Sequence, residues 1–146
     1  MKIAVIIADF YLDIATMLEQ GATKALYDAG HDVDIIRVPG ALEIPPAISF
    51  ASLHHRYDGY VALGCVIRGE TTHYDTVCNE SARALMDLGV QHLLPIGNGI
   101  LTVENHAQAI VRADPAQKNK GRDAALACLA LIDIAHSQAA LMELPA

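Results

Sequence analysis

The sequence predicts a three-layer α/β/α sandwich built on a four-stranded parallel sheet of order 2-1-3-4. Three observations carry this. Short, β-branched-rich apolar runs alternate with stretches of helical spacing along the whole chain. Hydrophobic residues make up 53%, yet there is no Trp and only two Phe, so the core must come from Ala, Val, Ile and Leu. No internal repeat, low-complexity segment or interdomain linker interrupts residues 1–146, a length that suits one domain.

Ile3–Ala8 is a continuous apolar run and reads as a buried strand. Leu12–Ala29 carries Ile14, Met17, Leu18, Ala22, Ala25 and Leu26 on one helical stripe, with Gly30 as the C-terminal stop. Val33–Val38 is the second strand. Pro39-Gly40-Ala41-Leu42-Glu43-Ile44-Pro45-Pro46 turns the chain into a helix expected to reach about His55, since proline is tolerated in a first turn. Tyr60–Cys65 is the third strand, followed by a loop and a helix ending near Gly89. His92–Ile96 is expected as the fourth strand, with Gly97-Asn98-Gly99 as a flexible turn. Glu104–Arg112 is a short helix, Asp114–Asn119 a polar loop, and Gly121–Leu141 a long last helix. Strands alternating with helices imply right-handed crossovers and helices on both sheet faces, a flavodoxin-like arrangement.

The last helix is apolar nearly all round between Ala124 and Ala135, with only Asp133 interrupting. A surface helix on a monomer shows one polar face. This one is expected to bury a second face against another subunit; the alternative is a central core helix.

Composition excludes several classes. The formal charge of −7 argues against sequence-independent nucleic-acid binding. The basic residues are unevenly spread, with Arg112, Lys118, Lys120 and Arg122 close together, which suits either a small phosphorylated anion or a solvated loop. No apolar run approaches the roughly 20 residues of a membrane span, and the start lacks the features of a signal peptide. Cys65, Cys78 and Cys128 are odd in number, widely spaced and without a CxxC pair, so they read as reduced thiols of a cytoplasmic protein. No metal site is expected.

The chemistry concentrates in Leu63-Gly64-Cys65-Val66-Ile67-Arg68-Gly69-Glu70-Thr71-Thr72-His73-Tyr74-Asp75. A strand here passes through a Gly-containing loop into a helix, at the carboxyl end of the sheet where α/β proteins bind ligands. Thr72 is the expected N-cap, with Asp75 in a capping-box-like position. His73 then sits at the positive end of a helix dipole, where the imidazolium is disfavoured and a neutral ring can accept and return a proton. The threonine hydroxyls and free N–H groups form an anion site. A solvent-facing histidine and a structural Arg68 salt bridge are the bland alternatives. Val38–Pro45 ends the second strand on the same edge and brings a carboxylate, Glu43, with exposed N–H groups; it is otherwise a well-formed turn. Phe10, ending the first strand, is placed to stack on a flat ring, although such a residue is more often core.

Together these segments resemble the lumazine synthase family. The resemblance rests on the Phe10 turn, Val38–Pro45, Leu63–Asp75, Pro95-Ile96-Gly97-Asn98-Gly99-Ile100-Leu101-Thr102, and Asn119-Lys120-Gly121, in the family's order over nearly the whole chain. It implies a cofactor-free condensation in riboflavin biosynthesis. The substrates would be 5-amino-6-(D-ribitylamino)uracil and 3,4-dihydroxy-2-butanone 4-phosphate. The products would be 6,7-dimethyl-8-ribityllumazine, phosphate and water. Carried over by position, Phe10 stacks on the pyrimidine ring. Ala41, Leu42, Glu43, Cys65, Val66, Ile67 and Asn98 line the pyrimidine and ribityl site. Glu70, Thr71, Arg112 and Lys120 meet the phosphate, and His73 transfers protons. The resemblance also implies a homopentamer with sites between adjacent subunits, so that Arg112 and Asn98 come from a neighbour, and riboflavin synthase as a partner.

The chain departs from the family pattern in places. Asn98 stands where many members have Phe, which removes a second aromatic wall, and Tyr11 stands where Asn is frequent. The chain begins at the first strand, and residues 114–118 lack a Gly-rich turn, so a free pentamer is expected rather than an icosahedral shell. Rival readings weaken on the residues. A flavodoxin needs a hydroxyl- and Gly-rich loop after strand one, where Asp9-Phe10-Tyr11-Leu12-Asp13 stands. A receiver domain needs an Asp where Cys65 ends strand three. A binding-only oligomer remains open. A hydrolase using Cys65 as nucleophile has no partner histidine fixed by the sequence.

Overall fold

Side-chain alternation along one central strand sorts the molecule into layers. In the computed structural model, which describes residues 1–145, β1 (Lys2–Ala8) lies between β2 (Asp32–Val38) and β3 (Gly59–Ile67), and β4 (Ile96–Val103) pairs with β3. All pairings are parallel, as the alternation of elements implies, and the order is the expected β2-β1-β3-β4. The helices are α1 (Leu12–Asp28), α2 (Ile44–Ser52), α3 (His73–Gln91), α4 (His106–Ala113) and α5 (Lys120–Met142).

Ile3, Val5 and Ile7 pack against Ile14, Leu18 and Leu26 of α1, with Ala109 of α4 and Cys128 and Ile132 of α5 in the same cluster. Ala4, Ile6 and Ala8 face the other way, against Ile44 and Ile48 of α2 and Leu85 of α3. Ile3 to Ile7 are all fully buried. Each large aliphatic side chain removed from water is worth roughly 1.5–3 kcal/mol, so β1 anchors both layers at once. Parallel register brings the carboxyl ends of all four strands to one edge: Ala8 pairs with Val38, Ile7 with Leu63, and Ile67 with Val103.

The fourth strand differs from the sequence expectation. It runs over Ile96–Val103, and Gly97-Asn98-Gly99 is strand rather than flexible turn. The glycines are there for packing. A Cβ on Gly97 would strike the Ala124 carbonyl, and one on Gly99 would lie 2.9 Å from the Ala124 Cβ, so their absence lets α5 lie directly on the sheet. Residues 92–95 form the connection, with Leu93 at φ 56. β3 extends to Ile67, two residues beyond expectation, and α2 stops at Ser52, before His55 at φ 49. Gly30, at φ 84, does terminate the first helix.

The α1–α5 contact is also made by glycines. A side chain on Gly121 would meet the Leu18 carbonyl, and one on Gly21 would meet Asn119 Oδ1. Asn119 adopts φ 47 and accepts the Arg122 N–H through Oδ1 at 3.4 Å, which starts α5. By length and composition α5 is apolar enough to cross a membrane, which a count of uninterrupted apolar residues misses because Arg122, Asp123 and Asp133 break the run. Its inner residues Ala124, Ala125, Cys128 and Ile132 are packed into the domain, while Leu126, Leu131 and Ile134 stand on its outer side.

Candidate active site

The carboxyl ends of β1, β2 and β3 enclose a cleft of about 260 Å³. Phe10 and Tyr11 follow β1, Gly40 and Ala41 follow β2, and Cys65, Val66 and Ile67 end β3. Gly69, Thr71, His73, Tyr74 and Val77 complete the wall from the loop and the start of α3. Phe10 is 74% exposed, so its ring is presented to the cleft rather than used in the core. Leu42 and Glu43 lie beside this wall on the exposed Ala41–Glu43 turn, and Glu70 is exposed on the loop.

His73 is the first residue of α3 and is exposed. Its backbone N–H donates to Thr71 Oγ1 at 3.3 Å. Thr72 occupies the N-cap position but makes no side-chain cap bond. The reason is its backbone, at φ −72 and ψ 0; a capping side chain normally needs the extended region. The expected capping box with Asp75 therefore does not form. Asp75 instead lies 3.6 Å from Arg68, whose Nε donates to Glu104 at 2.8 Å.

Burial pushes the Cys65 thiol up to about 12, with the Asp13 carboxylate and Cys78 adding to it. Cys65 is therefore a neutral thiol near pH 7 and a poor nucleophile, which removes the hydrolase reading. Partial burial works against ionisation of Asp13, but the Ile14 N–H and His106 outweigh it and hold the carboxyl below its usual range. The His106 ring nitrogen lies 2.8 Å from Asp13, tying the start of α4 to the start of α1 above the sheet.

The remaining expected residues lie elsewhere. Asn98, Arg112 and Lys120 line a second cleft of about 430 Å³ between the outer side of β4 and the start of α5, together with Thr102 and Asp123. Arg112 is half-buried and donates one Nη1–H to the Gln108 carbonyl at 3.1 Å. Lys120 Nζ pairs with Asp123 at 3.2 Å. The loop before Lys120 is ordered by Asp114, whose carboxylate accepts from the Ala116 N–H at 2.8 Å and from Gln117 at 3.1 Å. These bonds lower its pKa. The Asn98 Oδ1 accepts from the Ile100 N–H at 2.9 Å. One chain thus carries two separate clefts, one with Phe10 and His73, the other with Arg112 and Lys120. A further groove of about 460 Å³ between α3 and α5 has no titratable side chain in its wall, so size does not locate the chemistry.

The family model described as 6,7-dimethyl-8-ribityllumazine synthase matches residues 1–136. The chain belongs to the lumazine synthase family. A lumazine synthase of Novosphingobium aromaticivorans is 57% identical over 90% of this chain and 94% of its own. One from Zymomonas mobilis is 55% identical over 91% and 95%, and one from Rhizobium meliloti 53% identical over 92% and 91%.

Of the residues that the lumazine synthase resemblance singled out, Phe10, Ala41, Cys65, Val66, Ile67, Thr71 and His73 meet in one cleft. Asn98, Arg112 and Lys120 meet in the other. Sequence reasoning left Tyr11, Gly40, Gly69, Tyr74 and Val77 out of the site residues. A helical wheel begun at His73 would have found Val77, one turn on and on the same face.

Proposed function

We propose that this chain condenses 5-amino-6-(D-ribitylamino)uracil with 3,4-dihydroxy-2-butanone 4-phosphate, giving 6,7-dimethyl-8-ribityllumazine, phosphate and water, and that the Phe10–His73 cleft is where it does so. The observation that carries the assignment is this cleft, which gathers a presented aromatic ring, the ends of three strands and a helix-start histidine in a lumazine synthase family chain. The reaction is that of a transferase in riboflavin biosynthesis and needs no cofactor.

Each step then has a group suited to it. Phe10 offers a face to the pyrimidine, with Ala41, Leu42, Glu43 and Cys65–Ile67 around the ring and ribityl chain. The amine adds to the ketone and water leaves as the Schiff base forms. Phosphate is then eliminated to leave a new carbonyl, and attack of the ribitylamino nitrogen on it with loss of a second water closes the lumazine ring. Every step moves protons, and His73 is the group placed to carry them. The departing phosphate carries its charge to Arg112 and Lys120, beside Glu70 and Thr71 on the loop. A bidentate arginine and helix-start N–H groups are favourable partners for such an anion.

The two clefts of one chain support a site completed by a second copy, in a ring of five. The half-site with the cations has no ring-stacking residue, and the half-site with Phe10 and His73 has no unpaired guanidinium in its wall. The exposed apolar side chains Met86, Val90, Leu131 and Ile134 suit such a contact. We place the reaction in the cytoplasm, where the three free thiols stay reduced. Riboflavin synthase, which takes the product of this penultimate step, is the proposed partner.

Mixing the purified chain with both substrates tests the reading. Lumazine fluorescence is the expected result, and silence at high protein concentration would favour a binding-only oligomer. Sedimentation of the 15.6-kDa chain as a monomer would refute the ring.

A further inference from the structure

Arg68 is the cation nearest in sequence to the phosphate loop, yet it is absent from the wall of the Phe10–His73 cleft. Its guanidinium is engaged on three sides. Nε donates to Glu104 at 2.8 Å, Nη1 lies 3.6 Å from Asp75, and the charged carbon sits 4.2 Å from the centroid of the Tyr74 ring. Its backbone N–H donates to the Val103 carbonyl at 3.0 Å, so its main chain still belongs to the β3–β4 ladder.

We infer that Arg68 is a positioning residue, which clamps the start of α3 to the turn after β4 and thereby fixes the loop Gly69–Thr72 and His73 between them. Glu104 belongs to that turn, and its N–H donates to the Gln108 side chain at 2.8 Å, while the Gln108 carbonyl holds Arg112. The clamp therefore also fixes the phosphate loop relative to the helix that carries Arg112. Each contact is modest alone, because the pairs are partly exposed. Their joint effect is geometric: displacement of a catalytic group by about an ångström can cost on the order of a hundredfold in rate.

The inference rests on the proposed reaction, so its test has one readout that does not. In Arg68→Ala, hydrogen exchange at the amides of Gly69 to His73 is expected to quicken about tenfold as the loop loosens. Steady-state kinetics should show a lower kcat and a raised KM for the phosphorylated ketone, by roughly tenfold together, with the KM for the pyrimidine within about twofold. Arg68→Lys keeps the charge over Tyr74 but not the fork, and should recover part of both effects. Equal loss for both substrates, or a lowered melting temperature with unchanged kinetics, would overturn the inference. So would weakened binding of inorganic phosphate with loop exchange unchanged, because that result would make Arg68 a direct ligand. If the wild-type chain makes no lumazine, the proposed reaction fails while the exchange measurement still decides the clamp.

Discussion

Phe10 stands edge-on to Tyr11, with ring centroids 4.9 Å apart and planes at 77°. Tyr11, at the start of α1, is half-buried against the core, whereas Phe10 is mostly exposed, so the packed ring supports the presented one. Edge-to-face pairs of this kind add roughly 0.5–1.5 kcal/mol beyond their burial.

Phe10→Ala should therefore raise the KM for the pyrimidine by roughly three- to tenfold, the equivalent of one aromatic contact. The melting temperature should fall only slightly, since folding loses little more than the edge-to-face contact with Tyr11, about 0.5–1.5 kcal/mol. Kinetics and a thermal melt on the same variant check both halves.

Arg112→Ala should raise the KM for the phosphorylated ketone by about ten- to a hundredfold, the loss expected for a charge-assisted bond, and leave the pyrimidine KM close to wild type. Equal effects on both substrates would sink the phosphate role. Arg112→Lys should restore only part, because an ammonium makes a point contact rather than a fork.

His73→Ala should slow kcat by about ten- to a hundredfold, at or below the low end for positioned proton transfer, because water can substitute in part. Single-turnover lumazine formation is the measurement, and an unchanged rate would remove the histidine from catalysis.

The thiols predict a pH dependence of stability. Burial raises Cys65 and Cys128 from 9.0 to about 12 in the folded chain. Above pH 9 the unfolded chain releases these protons while the folded one keeps them, so stability falls as pH rises toward 12 and is complete below 9. Urea midpoints should drop between pH 8 and 10.5, and less so in a Cys65→Ala, Cys128→Ala double variant.

Two glycines should respond with opposite sign. Gly97→Ala drives a Cβ into the Ala124 carbonyl and should cost about 1–3 kcal/mol or more. Gly89→Ala has its nearest contact at 3.7 Å and should stabilise α3 by about 0.4–1 kcal/mol. Denaturant melts of the two variants decide this, and a shift in the same direction for both would contradict the packing account.

Gly97 also shows where local pattern stops being informative. Gly-Asn-Gly is turn chemistry when read along the chain, and nothing nearby says that a helix some thirty residues later needs the space. β1 and α1 were legible because each follows from hydrophobic spacing, and the sheet order was the natural arrangement for strands that alternate with helices. The convergence of Phe10, Ala41, Cys65 and His73 followed from strand ends sharing one edge. A structural Arg68 salt bridge was foreseen, but its partner Glu104 was not legible, nor was the His106–Asp13 bond, since these partners are 36 and 93 residues away with no periodic signal between them.

On the proposed reading, the separation of the two clefts would make catalysis a property of a junction rather than of a chain. In a closed ring of such copies, every subunit lends its cations one way and its histidine the other, so there are as many junctions as subunits. A copy spoiled at His73 and a copy spoiled at Arg112 are each impaired alone. Assembled together at random, they would leave about a quarter of the junctions with both parts native, so two weakened proteins would make a more active one.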